Sequence, residues 1–223
     1  MTIPLWKKYV SYFFEFHIES VPSEINPHLY VSLNRGRFQL STANAIYSFA
    51  DLYDNFALSF RQLAMPADGK EVLILGFGLG SIPYMLEKKF NKKYNYTAVE
   101  IDENVLYLAN KYVLPELNSP ITTIPADAFA YVHYCHDRYD LICMDVFLDD
   151  VVPDNFERTH FLQQLAALLN PNGILLFNKL AATKKDKQQV AEFYQRFKQV
   201  FPNGTYLDVN GNWMLVNEER FVR

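Results

Sequence analysis

Short apolar runs alternate with segments of helical spacing along most of the chain, and this alternation predicts an α/β fold. Residues 72–75 are continuously apolar, as expected for a central strand that is buried on both faces. Further strand-like runs follow, each separated from the next by a segment with the periodicity of a helix. A strand–helix alternation of this kind is typical of a mostly parallel sheet. The predicted strands are 72–75, 96–99, 121–125, 139–144 and 174–177.

The two ends of the chain depart from this alternation. Residues 1–45 predict a small antiparallel β region whose first strand is residues 9–18. Residues 46–64 have helical spacing and predict a helix that leads into the parallel sheet. At the other end, Asn210-Gly211 separates two short strands and favours a two-residue hairpin. The domain prediction is therefore a small N-terminal β region, 1–45, and an α/β domain, 46–223.

Three glycines follow the first parallel strand, and an acid ends the second. Gly76, Gly78 and Gly80 allow a sharp turn and a close approach of the backbone to a ligand. Glu100 is placed to accept the two hydroxyls of a ribose, and Asp102 can cap the next helix. This combination predicts a nucleoside site. The alternative is a tight turn beside a solvated acid.

The glycine spacing separates two classes of nucleotide. A dinucleotide fingerprint has the spacing G-x-G-x-x-G, whereas these glycines have the spacing G-x-G-x-G, and Ser81 occupies the third fingerprint position. NAD and FAD are therefore disfavoured, although a nicotinamide oxidoreductase stays open as a distant alternative.

Composition narrows the function classes further. The formal net charge of −4 gives no general support for nucleic-acid binding, and no apolar run approaches the length of a membrane span. The two cysteines, Cys135 and Cys143, indicate no disulfide framework, which predicts a cytoplasmic protein. The potential metal ligands within 133–137 match no zinc spacing, so no metal is predicted.

Five segments together resemble the class I methyltransferase fold, and more closely the spermidine synthase family, which places a small β domain before that fold. They are residues 76–81, 99–102, 126–129, 139–145 and 169–178. The resemblance covers nearly the whole chain. It implies a Rossmann-like, mostly parallel seven-stranded sheet that ends in an antiparallel hairpin, behind the N-terminal β region.

The resemblance also implies a set of site residues. The glycine turn resembles the part of the family that holds the amino-acid end of the donor, and Asp145 resembles the acid that faces the reaction. The remaining positions resemble the family's adenosine contacts: Glu100 for the ribose, Ile101 packing on adenine, and Asp127 with Ala128 at the adenine amino group. The implied cofactor is S-adenosylmethionine or its decarboxylated form.

Three departures from the family bear on the reaction. Leu79 stands where the family's turn has an acid, and Leu148 stands where the family has a base, with Asp149 one residue later. The family's tyrosine matches Phe49, with Tyr47 nearby. An acid at position 79 would disfavour the carboxylate of intact S-adenosylmethionine by about 1–4 kcal/mol at about 4 Å, and Leu79 removes that discrimination.

These departures favour an S-adenosylmethionine-dependent methyl transfer to a small acceptor, with an amine among the candidates and Asp145 or Asp149 at the acceptor. One alternative is an aminopropyltransferase in which Asp149 replaces the missing base. Another is a non-catalytic protein that binds a nucleoside. No nucleic-acid or membrane partner is predicted, but the aromatic residues clustered within 6–16 predict a homodimer.

Overall fold

The computed structural model describes residues 4–26, 28–42, 45–147 and 152–223. These residues form a four-stranded antiparallel sheet near the N-terminus and a seven-stranded mixed sheet in the rest of the chain. Leu148, Asp149 and their two successors lie outside the described residues.

The N-terminal sheet follows a short helix, α1 (Leu5–Val10). Its strands pair in sequence order: β1 (Phe16–Val21), β2 (Leu29–Asn34), β3 (Arg37–Ser41) and β4 (Ile46–Ser48). The prediction of a strand over 9–18 is wrong for residues 9–15, because α1 extends to Val10, turns follow it, and β1 begins only at Phe16. The Ser11 hydroxyl donates a hydrogen bond to the Lys8 carbonyl at the end of α1.

The predicted helix over 46–64 is also wrong in its first residues. Ile46 and Ser48 pair with β3, and a 3₁₀ turn (Ala50–Leu52) separates them from helix α2 (Asp54–Gln62). Tertiary pairing overrides the helical spacing here, and the Ser48 hydroxyl lies 2.6 Å from the Ser81 hydroxyl. The domain division at residue 45 stays a prediction, although β4 extends the N-terminal sheet to Ser48.

The central sheet has the predicted fold class. Its strands lie in the order β10-β11-β9-β8-β5-β6-β7, with parallel pairing from β9 to β7 and antiparallel pairing of β11 with β9 and with β10. The strands are β5 (Glu71–Leu75), β6 (Asn95–Glu100), β7 (Ile121–Pro125), β8 (Tyr139–Met144), β9 (Leu169–Leu180), β10 (Thr205–Val209) and β11 (Asn212–Val216). The mostly parallel sheet with a terminal hairpin is therefore confirmed.

Helices cover both faces of this sheet. They are α3 (Ser81–Lys88), α4 (Glu103–Tyr112), α5 (Ala128–Tyr134), α6 (Thr159–Ala167) and α7 (Lys184–Val200). Alternate residues of β5 enter different cores: Val72 and Ile74 pack on one side, and Leu73 and Leu75 on the other, all fully buried. Burial on both faces explains why the sequence of this strand is continuously apolar.

The strand order reverses between β5 and β8, and this reversal positions the site. From β5 the chain moves outward to β6 and β7, and from β8 it moves the opposite way to β9. Connections therefore leave the carboxyl ends of β5 and β8 in opposite directions and open a crevice between them. Ligands of open α/β sheets bind in such a crevice.

Candidate functional site

A cavity of about 440 Å³ occupies this crevice at the carboxyl ends of the strands. Its volume lies within the range of small-molecule sites. The glycine turn, the ends of β6 and β8 and the start of α5 contribute to its lining, and so do residues of the N-terminal region within 25–47.

The glycine turn follows β5 directly and has glycine for steric reasons. Gly76 has a φ of +83°, and a Cβ added there would lie 2.3 Å from the Asp145 carbonyl oxygen. No side chain fits so close an approach. Gly76 and Gly78 line the cavity, whereas Gly80 is absent from its lining and caps α3 with a φ of +89°.

Glu100 lies at the end of β6 and bridges the glycine turn to its own strand. Its Oε2 accepts hydrogen bonds from the Phe77 and Gly78 N–H groups, at 3.0 and 3.1 Å, and its Oε1 accepts one from the Asp102 N–H at 3.2 Å. Burial raises the pKa of Glu100, while these backbone donors lower it. The carboxylate lines the cavity and binds the turn on which a ligand would lie.

The other residues implied for adenosine also line the cavity. Ile101 is 47% exposed and lines the cavity. Asp127 is exposed and caps α5, because its Oδ1 accepts from the Phe129 and Ala130 N–H groups at 2.6 and 3.4 Å. Ala128 is buried beside it. Asp127 therefore both caps a helix and lines the cavity.

Asp145 follows β8 and lines the cavity with a carboxyl group whose pKa is far from its usual value. Burial raises its pKa to about 7, and nearby Glu100 adds to the rise, against hydrogen bonds from Asn178 and Tyr53 that lower it. Asn178 Nδ2 donates to Asp145 Oδ1 at 2.8 Å, and the Tyr53 hydroxyl donates to the same oxygen at 3.3 Å. A carboxyl group that titrates near neutrality in a cavity can take up a proton from a ligand.

Sequence reasoning missed several polar residues that line this cavity, and three of them belong to the hydrogen-bond network of Asp145. Tyr53 lies between the 3₁₀ turn and α2, Asn178 on β9, and Asn212 at the start of β11. Asn178 carried a signal, since it is a polar residue near the carboxyl end of an apolar strand. Phe49, which matches the position of the family's tyrosine, does not line the cavity, whereas Tyr47 and Tyr53 do.

A segment of the N-terminal region is attached to the same edge of the central sheet. Asp102, which caps α4 as predicted, is buried, and its Oδ1 accepts from the Asn104 N–H. Its Oδ2 accepts from the Ser23 hydroxyl at 2.5 Å and from Asn26 Nδ2 at 2.8 Å. These contacts hold residues 23–26 at the cavity, where Ile25 and Asn26 form part of the wall together with Ile46 and Tyr47.

The charges of the cavity have one sign. Glu100, Asp127 and Asp145 are its acids, and no Lys, Arg or His is found among the described lining residues. Leu79, which replaces the family's acid, contributes nothing to this surface because its side chain is buried in the core. Asp149, the other predicted catalytic residue, lies outside the described residues, so its role stays a prediction.

No group of three or more His, Cys, Asp or Glu side chains in the described ranges is arranged to hold a metal ion. None of the helices in those ranges has the length and apolar character needed to cross a bilayer.

One known protein family matches most of the chain. The model of the spermine/spermidine synthase domain matches residues 55–210. A probable polyamine aminopropyl transferase of Bifidobacterium longum is 35% identical over 119 residues, which are 52% of this chain and 26% of that protein. An N-terminal histidine N-methyltransferase of Emericella nidulans is 33% identical over 116 residues, which are 49% of this chain and 20% of that protein. The matches thus span about a quarter or less of the length of these relatives.

A solved structure supports the fold over a longer stretch. The spermidine synthase of Thermotoga maritima superposes with a TM-score of 0.67 and 18% identity, covering 90% of this chain and 72% of that one. At this identity the likeness establishes the fold, including the small β region before the central sheet.

Proposed function

The chain belongs to the spermine/spermidine synthase domain family, and from this premise we propose that it transfers an aminopropyl group from decarboxylated S-adenosylmethionine to a small amine. One observation carries the proposal: the cavity at the strand ends is lined by three acids and, among its described residues, by no basic side chain. Such a site favours ligands that carry positive charge.

The sign of the charge bears on which donor is preferred. Both candidate donors carry a sulfonium and an ammonium group, but only intact S-adenosylmethionine also carries a carboxylate. Like charges about 4 Å apart cost about 1–4 kcal/mol, depending on the effective dielectric. The negative cavity therefore supports the decarboxylated donor, although the sequence alone favoured methyl transfer.

The residues of the glycine turn and those that follow β6 and β7 suit the nucleoside part of the donor. Glu100 would accept the ribose hydroxyls, Ile101 would pack on the adenine, and Asp127 would accept from the adenine amino group. Gly76 and Gly78 leave the backbone bare next to this position. All five line one continuous cavity, which supports a single adenosine site.

Asp145 would act on the acceptor. An amine with a pKa of about 10, by analogy with lysine, is protonated at neutral pH and cannot attack. Asp145 takes a proton from the ammonium group, and the freed lone pair attacks the carbon that joins the aminopropyl chain to sulfur. The new C–N bond forms as the C–S bond breaks, its electron pair goes to sulfur, and methylthioadenosine leaves. The raised pKa makes Asp145 a stronger base than an ordinary aspartate.

Methyl transfer is the second candidate, and one observation favours it. Leu79 is buried in the core, so no acid from this position repels the carboxylate of intact S-adenosylmethionine. The adjacent N-terminus of α3 offers backbone N–H groups to a carboxylate. The similarity to the Emericella methyltransferase is consistent with this alternative.

Calorimetry with decarboxylated S-adenosylmethionine, S-adenosylmethionine, methylthioadenosine and NAD separates the candidates. We expect the decarboxylated donor to bind at least about tenfold more tightly than the intact one, equivalent to about 1.4 kcal/mol. Mass spectrometry of a reaction with putrescine should then detect an aminopropylated amine. Tighter binding of intact S-adenosylmethionine, with a methylated product, would support the second candidate, and tightest binding of NAD would contradict both.

Three variants of acidic residues test the assignment of the base. In Asp145→Asn we expect the rate of transfer to fall about 10²- to 10⁴-fold with little change in donor affinity, because the lost group acts on the acceptor's proton. Glu100→Ala should instead weaken donor binding. If Asp149→Asn abolishes transfer and Asp145→Asn does not, the base is Asp149 and our assignment is wrong.

A further inference from the structure

We propose that Asn178 is a positioning residue for Asp145, and that Asn212 fixes the orientation in which Asn178 performs this role. The inference rests on the proposed action of Asp145 as the base. It concerns two side chains that lie on the neighbouring strands β9 and β11 and to which the sequence analysis assigned no role.

The three residues form a chain of hydrogen bonds across the sheet. Met144 at the end of β8 pairs with Phe177 of β9. Asp145 and Asn178 are the next residues along these two adjacent segments. Asn178 in turn pairs with Met214 of β11, which places Asn212 two residues earlier on that strand. Asn212 Nδ2 donates to Asn178 Oδ1 at 2.8 Å, and Asn178 Nδ2 donates to Asp145 Oδ1 at 2.8 Å.

The direction of the first bond determines the second. A primary amide has a donor end and an acceptor end, so a buried asparagine can face a carboxylate productively in one orientation only. The Asn178 side chain is buried, with a residue exposure of 1%. Because Asn212 donates to its oxygen, the amide nitrogen is directed at Asp145. A rotation of the amide would place its oxygen against the carboxylate and its nitrogen against the Asn212 donor.

This arrangement leaves one carboxylate oxygen for the ligand. Among the described residues, the donors to Asp145 are Asn178 and Tyr53, and both reach Oδ1. Oδ2 is therefore the oxygen that would take the proton. The amide donor stabilises the ionised carboxylate against the burial that disfavours it, so Asn178 both orients the base and keeps it available at neutral pH.

Other titratable groups face Asp145 and must be held constant. Glu100 approaches from the end of β6, the Tyr53 hydroxyl from the segment before α2, and the buried Cys143 lies on the same strand. The pKa of Tyr53 is raised well above its usual value, mainly by burial, so it remains a donor across the neutral range. Asn178 and Asn212 are uncharged, and replacing them changes no charge in the site.

The test is a ¹³C NMR titration of the Asp145 carboxyl group, identified by the signal that Asp145→Asn removes. In Asn178→Ala we expect its midpoint to rise by about one pH unit or more, because a hydrogen bond to a charged group is lost. Asn212→Ala should cause a smaller rise in the same direction. Asn212→Ala added to Asn178→Ala should cause no further rise, because Asn212 acts only through Asn178.

The titration needs no substrate, so its outcome is independent of whether the proposed reaction is correct. If transfer is observed, the acidic limb of kcat/KM should move with the midpoint in each variant. Asn95→Ala, at the opposite end of the strands, is the matched control and should leave the midpoint in place. An unchanged midpoint in Asn178→Ala, or additive shifts in the double variant, would overturn the inference. If Asn178→Ala does not fold, Asn212→Ala, at a half-buried residue, serves as the test. If the midpoint of Asp145 stays unchanged in Asn212→Ala, the proposed roles of Asn178 and Asn212 are refuted.

Discussion

At the scale of single residues, the role proposed for Asp145 and the stability of the fold favour opposite charge states of its carboxyl group. Its carboxyl pKa of about 7 lies above that of an unfolded aspartate, so the folded protein holds a proton that the unfolded chain releases. The contribution of this residue to stability therefore falls as pH rises from about 4 through about 7, and stays low above that. The ionised form of Asp145, which is the form that can act as a base, is therefore the form that lowers the free energy of unfolding.

We expect Asp145→Asn to stabilise the protein more at pH 8 than at pH 5. The neutral amide removes the cost of a buried charge, and a difference of about 1–2 kcal/mol would raise the melting temperature by about 2–6 °C more at the higher pH. Differential scanning calorimetry at both pH values measures this. The exposed Asp137→Asn controls for the change in net charge, and an equal gain at both pH values would contradict the reasoning.

The predicted residues that do line the cavity are those that local sequence patterns mark. Glu100, Asp127 and Asp145 each end a recognisable strand, and parallel strands bring such ends to one edge, so their common cavity could be expected. Tyr53, Asn178 and Asn212 gain their meaning from partners far away in sequence. Asn178, for example, contacts residues 33 and 34 positions distant. Their roles depend on strand order and register, which periodicity does not give.

At the scale of elements, the glycine turn after β5 is packed against the end of β8. Gly76 and Gly69 both have positive φ, but an added Cβ at Gly76 would overlap the Asp145 carbonyl, whereas one at Gly69 has nothing within 4 Å. These two positions therefore separate the cost of backbone conformation from the cost of steric overlap.

We expect Gly76→Ala to reduce the free energy of unfolding by more than about 3 kcal/mol, because β8 must move to admit the methyl group. Gly69→Ala, the matched control, should cost only about 1 kcal/mol for its left-handed backbone. Urea unfolding of the two variants measures both. Similar losses would mean that the strand end adjusts freely and that the contact with Asp145 is unimportant.

Asp102, the cap of α4, links the central sheet to the N-terminal segment 23–26, so its removal should affect both. We expect Asp102→Ala to speed amide hydrogen exchange at residues 23–26, because Ser23 and Asn26 lose their shared acceptor. The affinity for the donor should fall with it. Thr183→Ala removes the cap of α7 and serves as the control, since that helix makes no such link. Unchanged exchange at 23–26 would show that other contacts hold this segment.

Helix boundaries near the N-terminus show what the sequence could not give. Residues 46–48 have the spacing of a helix and form a strand, because β3 offers an unpaired edge there. Residues 5–10 have the aromatic content of a strand and form a helix in which no residue is buried. In both cases the secondary structure depends on whether the segment pairs with a strand elsewhere in the fold, which the local pattern does not give.

At the scale of the whole molecule, one surface is unusually apolar. The N-terminal aromatic surface consists of large side chains on α1 and the turn after it, each between 58% and 82% exposed: Leu5, Trp6, Tyr9, Tyr12, Phe13 and Phe14. Contiguous apolar exposure of this kind is typical of an interface. The predicted homodimer stays a prediction, and this surface is its proposed contact.

We expect sedimentation velocity to detect a dimer at micromolar concentration, and Trp6→Ser combined with Phe13→Ser to yield monomers. Both changes remove apolar area that a second copy would cover. Tyr134→Ser, at an exposed aromatic residue on α5, is the control and should leave the dimer intact. A parent protein that sediments as a monomer at every concentration would refute the dimer.

The wall contributed by the N-terminal sheet has an evolutionary consequence. Ile25, Asn26, Ile46 and Tyr47 all precede residue 55, where the match to the family begins. Substitutions in this wall therefore leave untouched the glycine turn and the strand-end acids to which we assign the adenosine, all of which lie within residues 55–210. Paralogues that share residues 55–210 could differ in the compound they accept, and their divergence should be sought in the first fifty residues.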